Sequence, residues 1–230
     1  MQSPEMVRQK ERIPVLVSHA ALLALLSYVA CGIWALWQVP VAICVTHALI
    51  DFVKAKSGKT GPVAFIVDQG AHGVVIALLA GVVAGITQSS PAWVDLLGPW
   101  YLKALLVISG AVACVWMGGY LIGAAVRPMQ RRLSDQRRQV SPEGGAEPAG
   151  FSDGGMIIGQ LERALIFILT LTGQTAGIGF LIAAKSILRF GEAQDTAQRM
   201  EAEYIIIGTL MSFGWGILVS YVTVVFLQQM

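Results

Sequence analysis

The chain is a succession of apolar runs, most of them close to the length a helix needs to cross a bilayer, separated by short polar loops. Spanning the hydrocarbon takes roughly 20 apolar residues in helical form. There, a chain must satisfy every backbone polar group internally, which leaves helices and closed barrels. The runs fall at about 13–35, 38–54, 62–87, 100–126, 156–173, 175–190 and 204–227. The run at 175–190 is short and carries Lys185 and Arg189, so it reads as a tilted or half-buried span or an interfacial helix. The expected fold is therefore all-α: a polytopic helical membrane protein with six or seven transmembrane helices. Composition agrees, since 55% of residues are hydrophobic and 13% charged, against about 25% charged in a soluble domain. The net charge of +2 gives no footprint for nucleic acid. Cys31, Cys44 and Cys114 lie in or beside separate apolar segments without a CxxC pair, and read as small packing residues.

Orientation follows from lysine and arginine, which favour the cytoplasmic side. Arg8, Lys10 and Arg12 precede the first run, Lys54, Lys56 and Lys59 follow the second, and five arginines between Arg127 and Arg138 follow the fourth. The loops at 32–40 and 88–99 carry neither residue, only Trp34, Trp37 and Trp93 of an aromatic belt. The N-terminus is expected in the cytoplasm, with the chain multi-pass in a bacterial inner membrane. Counting 175–190 as a crossing keeps Arg189 and Arg199 cytoplasmic and favours seven spans. Residues 128–155 turn basic and then rich in Pro, Gly and Glu, and read as a cytoplasmic linker. They divide the chain into an N-terminal four-span domain, 1–127, and a two- or three-span region, 156–230.

Two short stretches stand out within the apolar runs. "THALIDFVK" holds His47 and Asp51 four residues apart, and "FIVDQGAH" holds Asp68 and His72 four apart in reverse order. His19 lies in the first run. Ionisable side chains within a bilayer are costly and face a polar interior or a partner. Residues at i and i+4 share a helix face, with Cβ atoms roughly 5–6 Å apart. Reversed order on antiparallel neighbours then brings carboxylate near carboxylate and imidazole near imidazole. At about 1.5 Å per residue all five groups lie toward the cytoplasmic side. Two carboxylates in low dielectric repel, and a divalent cation relieves both the repulsion and the desolvation. Imidazole and carboxylate suit zinc first, then manganese or iron. His19, His47, Asp51, Asp68 and His72 are thus the expected metal ligands, with Asp51 and Asp68 the catalytic carboxylates. A metal-free hydrogen-bonded network locking the helices is the competing reading.

"HALIDFVKAKSGKTGPVAFIVDQGAH" resembles the core of the bacterial membrane family catalogued as domain of unknown function 3307. "GGMIIGQLERALIFILTLTGQTAGIGFLIAAKSILRFGE" with "AEYIIIGTLMSFGWGI" resembles a C-terminal region often attached to that core. The resemblance implies a helical membrane fold. Its HxxxD and DQxxH pattern is similar to that of other small membrane proteins described as metal-dependent hydrolases.

Glu162, Arg163, Lys185 and Arg189 form a second polar set. It could clamp a phosphate or a lipid head group, or Glu162 could neutralise Lys185 or Arg189 between helices. The leading function is metal-assisted hydrolysis of a membrane lipid or its head group, with the cation acidifying a water. The alternatives are a metal-ion or proton transporter and a non-catalytic membrane assembly partner. A transporter calls for polar groups continuing across the membrane, and the outer halves of the first three runs are nearly devoid of them.

Overall fold

The structure is a computed structural model that describes residues 13–59, 61–87, 89–140, 154–187 and 196–230, apart from the side chains of 13, 136–140, 187 and 196–202. Arg8, Lys10, Arg12 and Arg189 lie outside the described residues. The described chain is all-α. Six of its helices are long and apolar enough to cross a membrane, so the protein is a polytopic membrane protein. The contacts divide it into two units, residues 1–101 and 102–230.

The first unit holds α1 (Ile13–Cys31), α2 (Gln38–Ser57), α3 (Pro62–Ile86) and the short α4 (Ala92–Leu97). Small residues set the approach of the first helices: Ala20 and Ala24 of α1 are buried, whereas Leu22, Leu25 and Leu26 are exposed on its outside. That is the membrane arrangement, with small side chains at helix contacts and large apolar ones toward lipid. Helix α2 stops at Gly58, whose φ of +59° provides the left-handed turn. Pro62 opens α3, where its missing N–H costs nothing.

The other end of α1 shows how a helix terminus is capped from far along the chain. Its last carbonyls have no partner within the helix, and the chain brings partners from far along the sequence. The indole N–H of Trp93 donates to Val29 O at 2.6 Å, and the Tyr101 hydroxyl donates to Ala30 O at 2.6 Å. The Ala92 amide donates to Gly32 O at 2.9 Å. Trp34 packs edge-on against Tyr28 and Trp93. The expected aromatic belt is therefore also a cap: Trp93 is held by a hydrogen bond, while Trp37 and Trp100 are exposed.

In the second unit, α5 (Trp100–Val112) runs through a π-helical turn, Ala113–Met117, into α6 (Gly118–Val140). The basic stretch from Pro128 to Val140, expected as linker, continues α6; residues 141–153 lie outside the described residues. Then follow α7 (Gly154–Leu171), α8 (Ala176–Ile187) and α9 (Thr196–Gln229). Ile166, Ile178 and Phe213 form the buried core, with Leu169 and Leu181 against it. Helix α8 has 12 residues, about 18 Å at 1.5 Å each, against about 30 Å of hydrocarbon. Among the described residues six helices, not seven, have the length to cross.

Gly32 sits at φ +65°, and a Cβ there would lie 2.7 Å from the Trp93 ring. Gly32→Ala is expected to cost about 1–2 kcal/mol from the left-handed backbone alone. Trp93→Phe, which strands Val29 O, is expected to cost about 1–3 kcal/mol. Thermal unfolding in detergent checks both; a Trp93→Phe protein as stable as the parent would refute the capping role.

Candidate metal centre

Helix α2 carries the centre of the polar cluster. Its i, i+4 spacing puts His47 and Asp51 on one stripe, with Asp51 Oδ2 3.6 Å from His47 Nε2. Helix α3 brings His72 alongside: its Nε2 lies 4.0 Å from Asp51 Oδ1, and its ring sits edge-on to His47 with centroids 4.4 Å apart. The His19 ring of α1 completes the row, 5.4 Å from that of His47. His19, His47 and Asp51 each present a ligand atom, and these atoms lie within 4.8 Å of one another. This His/His/Asp cluster can chelate a divalent ion. Side-chain exposure of His47, Asp51 and His72 is 13–18%, so the groups are partly shielded but reachable.

The tautomer of His72 follows from its neighbour. Nδ1 lies 2.8 Å from the carbonyl oxygen of Asp68. A carbonyl only accepts, so Nδ1 carries a proton there, and in the neutral ring Nε2 presents a lone pair. That Nε2 is buried, with no hydrogen-bond partner among the described residues. It faces Asp51 Oδ1, itself an acceptor, at a distance beyond a hydrogen bond. Histidines that bind metal through one nitrogen commonly donate the other N–H to a carbonyl or carboxylate. A metal fits this donor set: a nitrogen and a carboxylate oxygen turned toward each other at 4.0 Å, with no hydrogen bond between them.

Asp68 is drawn in a different direction. Its Oδ2 accepts from Lys54 Nζ at 2.6 Å and from Gln69 Nε2 at 3.1 Å. Its Oδ1 is buried without a hydrogen-bond partner, 3.9 Å from His72 Nδ1. Lys54 was read from the sequence only as an orientation signal. Its position three residues after Asp51 and seven after His47 already placed it on the same stripe.

The second polar set is built otherwise. Glu162, buried on α7, is paired with Lys185 of α8 at 2.6 Å. Arg163, also buried, donates through Nε and Nη2 to the Val115 carbonyl at 3.2 and 3.0 Å, and through Nη1 to Ser212 Oγ at 2.9 Å. Val115 lies in the π-helical turn, and its carbonyl also accepts from the Gly118 N–H. A Cβ on Gly119 or Gly159 would meet the guanidinium at 2.9 or 3.2 Å, so these glycines make room for it. Glu162 and Arg163, adjacent in sequence, turn to different partners, and Arg189 lies outside the described residues.

Removing one partner of a buried ion pair leaves an uncompensated charge, worth roughly 3–5 kcal/mol. Lys185→Met is expected to destabilise the protein by an amount approaching this, and Lys185→Met with Glu162→Gln to restore most of it. A double variant no more stable than the single one in detergent unfolding would refute the pairing as the reason.

No match was found among curated proteins or among solved structures. One family model matches, over residues 1–100. This region contains α1 to α4 and all five residues of the His/Asp cluster, whereas the second polar set lies beyond it. That model describes the family Protein of unknown function (DUF3307), to which residues 1–100 of this chain are similar.

Proposed function

We propose that this is a multi-pass protein of the bacterial inner membrane that holds a divalent metal near the cytoplasmic face and uses it in hydrolysis of a membrane lipid or its head group. His19, His47, Asp51 and His72 are the ligands, with zinc the first choice and manganese or iron next. The observation that carries the reading is the buried Nε2 of His72, turned toward Asp51 Oδ1 at 4.0 Å with no hydrogen bond joining the two. A hydrogen-bonded network would place a donor between them. A divalent ion there supplies Lewis acidity, which acidifies water and polarises a phosphoryl or carbonyl oxygen. The chain's own contribution is acid–base and positional. Asp51 holds its two oxygens toward two different imidazoles. Asp68, anchored through Oδ2, keeps Oδ1 bare as a proton acceptor. The transport reading is weaker, because Asp51, Asp68 and the three histidines cluster in one part of the spans and no polar row continues from them along α3 beyond His72.

Elemental analysis of protein purified without a histidine tag tests the site directly. Stoichiometric metal is expected in the parent. Asp51→Asn and His72→Ala are each expected to lose it by a factor of 100 or more in affinity, on the order of a lost ligand and beyond the 10–100-fold of an outer-shell change. A chelator should lower the parent's melting temperature and leave the variants' unchanged, because only the parent has bound metal to lose. A parent with no stoichiometric metal and no response to chelator would leave the metal-free network as the account.

Topology is tested separately. Lys54, Lys56 and Lys59 flank the α2–α3 turn, and no lysine or arginine lies at 88–99. A cysteine at Ser57 should be labelled only from the cytoplasmic side, and one at Ser90 only from the opposite side. The reverse pattern would overturn the cytoplasmic placement.

A further inference from the structure

The helical course that opens at Trp100 is longer than a bilayer is thick. Helix α5, the π-helical turn and α6 follow one another without a break to Val140, about 60 Å at 1.5 Å per residue, against about 30 Å of hydrocarbon. The exposed side chains set its register. Trp100, Trp116 and Tyr120 face outward, and the helix rises about 30 Å from Trp100 to Tyr120. These two aromatic residues therefore bracket the hydrocarbon, one at each interface. Beyond Tyr120 the apolar residues turn inward: Ile122, Ala124 and Val126 are buried, and a Cβ on Gly208 of α9 would lie 3.8 Å from Val126. Arg127 follows about 10 Å past Tyr120, at the level of the head groups, where a long guanidinium side chain reaches lipid phosphates. Arg127 and Arg131, four apart, share a face, with Arg132 beside them, and all three are exposed. Among the described residues none of the three makes an ion pair. Residues 127–140 hold five arginines against the single acidic Asp135. Inside the same unit, by contrast, Glu162 is paired with Lys185, and Arg163 bonds Val115 O and Ser212.

We propose that Arg127, Arg131 and Arg132 form a docking site for the phosphate of an anionic phospholipid, in the leaflet where α6 leaves the membrane. Guanidinium groups suit this ligand, since their planar donors match phosphate oxygens two at a time. The occupant is a lipid because the helix that carries the arginines is itself the spanning helix, and so holds them at the depth of the phosphates. The site lies wholly within residues 102–230 and does not depend on the metal reading. A topology signal alone makes a different forecast: it acts while the chain inserts and leaves the finished protein without a preference among lipids.

The test is a titration of the full-length protein in detergent with phosphatidylglycerol or with phosphatidylcholine, bound lipid being counted by native mass spectrometry. The parent is expected to bind phosphatidylglycerol about tenfold more tightly than phosphatidylcholine. A basic residue at an anionic lipid surface contributes roughly a fivefold factor. Replacing all three arginines by glutamine should therefore weaken phosphatidylglycerol binding by about tenfold or more, and leave phosphatidylcholine binding unchanged. The three lysine replacements together should keep most of the preference. The arginines are exposed, so an unchanged melting temperature without lipid is expected to show that the glutamine variant is folded. Should it melt lower, Arg131→Gln and Arg132→Gln singly carry the same comparison, each with about a fivefold loss. A parent without preference for phosphatidylglycerol, or glutamine variants that bind it as tightly as the parent, would overturn the proposal. So would displacement of the lipid by millimolar inorganic phosphate but not by chloride of equal ionic strength, which would make this a site for free phosphate.

Discussion

Within hydrocarbon no water is at hand to complete a hydrogen bond, and this constraint shapes the polar parts of the molecule. A backbone carbonyl or a charge placed there must find its partner in the protein. The C-terminal carbonyls of α1 find theirs in Trp93, Tyr101 and the Ala92 amide. Glu162 finds Lys185, and Arg163 finds the Val115 carbonyl in the π-helical turn. Each arrangement links helices that apolar contact alone would hold weakly, since lipid competes for the same apolar surface. Partner-finding therefore contributes to helix placement as well as to local satisfaction.

The His/Asp cluster was legible in the sequence because its signal is local and periodic. Two mirrored i, i+4 pairs joined by a short turn can meet on one stripe with little dependence on the rest of the chain, and His47, Asp51 and His72 do so. His19 was harder to place, since nothing in its own neighbourhood sets its rotation, and depth alone linked it to the others. Lys54 had the right spacing but also the right place for an orientation signal, and the second reason hid the first. Its partner Asp68 lies 14 residues on, across a turn.

Where partners are remote or the backbone departs from regularity, the sequence carries little signal. Trp93 meets Val29 across 64 residues, so as a tryptophan near a loop it was indistinguishable from one resting at the interface. The π-helical turn at Ala113–Met117 has no breaker residue within it, only an apolar run. Its side-chain partner is Arg163, 48 residues beyond Val115. The helical course of Pro128–Val140 was masked by composition: arginines and glutamines are good helix formers, but beside a Pro/Gly/Glu-rich stretch they read as linker. Proline within α6 removes one donor, and the helix continues past it.

The two polar sets also show how a buried cluster of charges distinguishes a structural role from a binding one. In the second unit the named charges meet partners: three N–H bonds of Arg163 end on a carbonyl and a hydroxyl, and the carboxylate of Glu162 ends on an ammonium. In the first unit the His/Asp cluster keeps bare acceptors: His72 turns Nδ1 to a backbone carbonyl, and among the described residues Asp68 Oδ1 and His72 Nε2 are buried without hydrogen-bond partners. Such an excess of lone pairs is costly in low dielectric. Protons could relieve it, but the 3.6 and 4.0 Å separations between Asp51 and the imidazoles exceed hydrogen-bond length. A cation accepts several lone pairs at once and at such spacings, which is why the imbalance, more than the mere presence of histidine and aspartate, points to a metal.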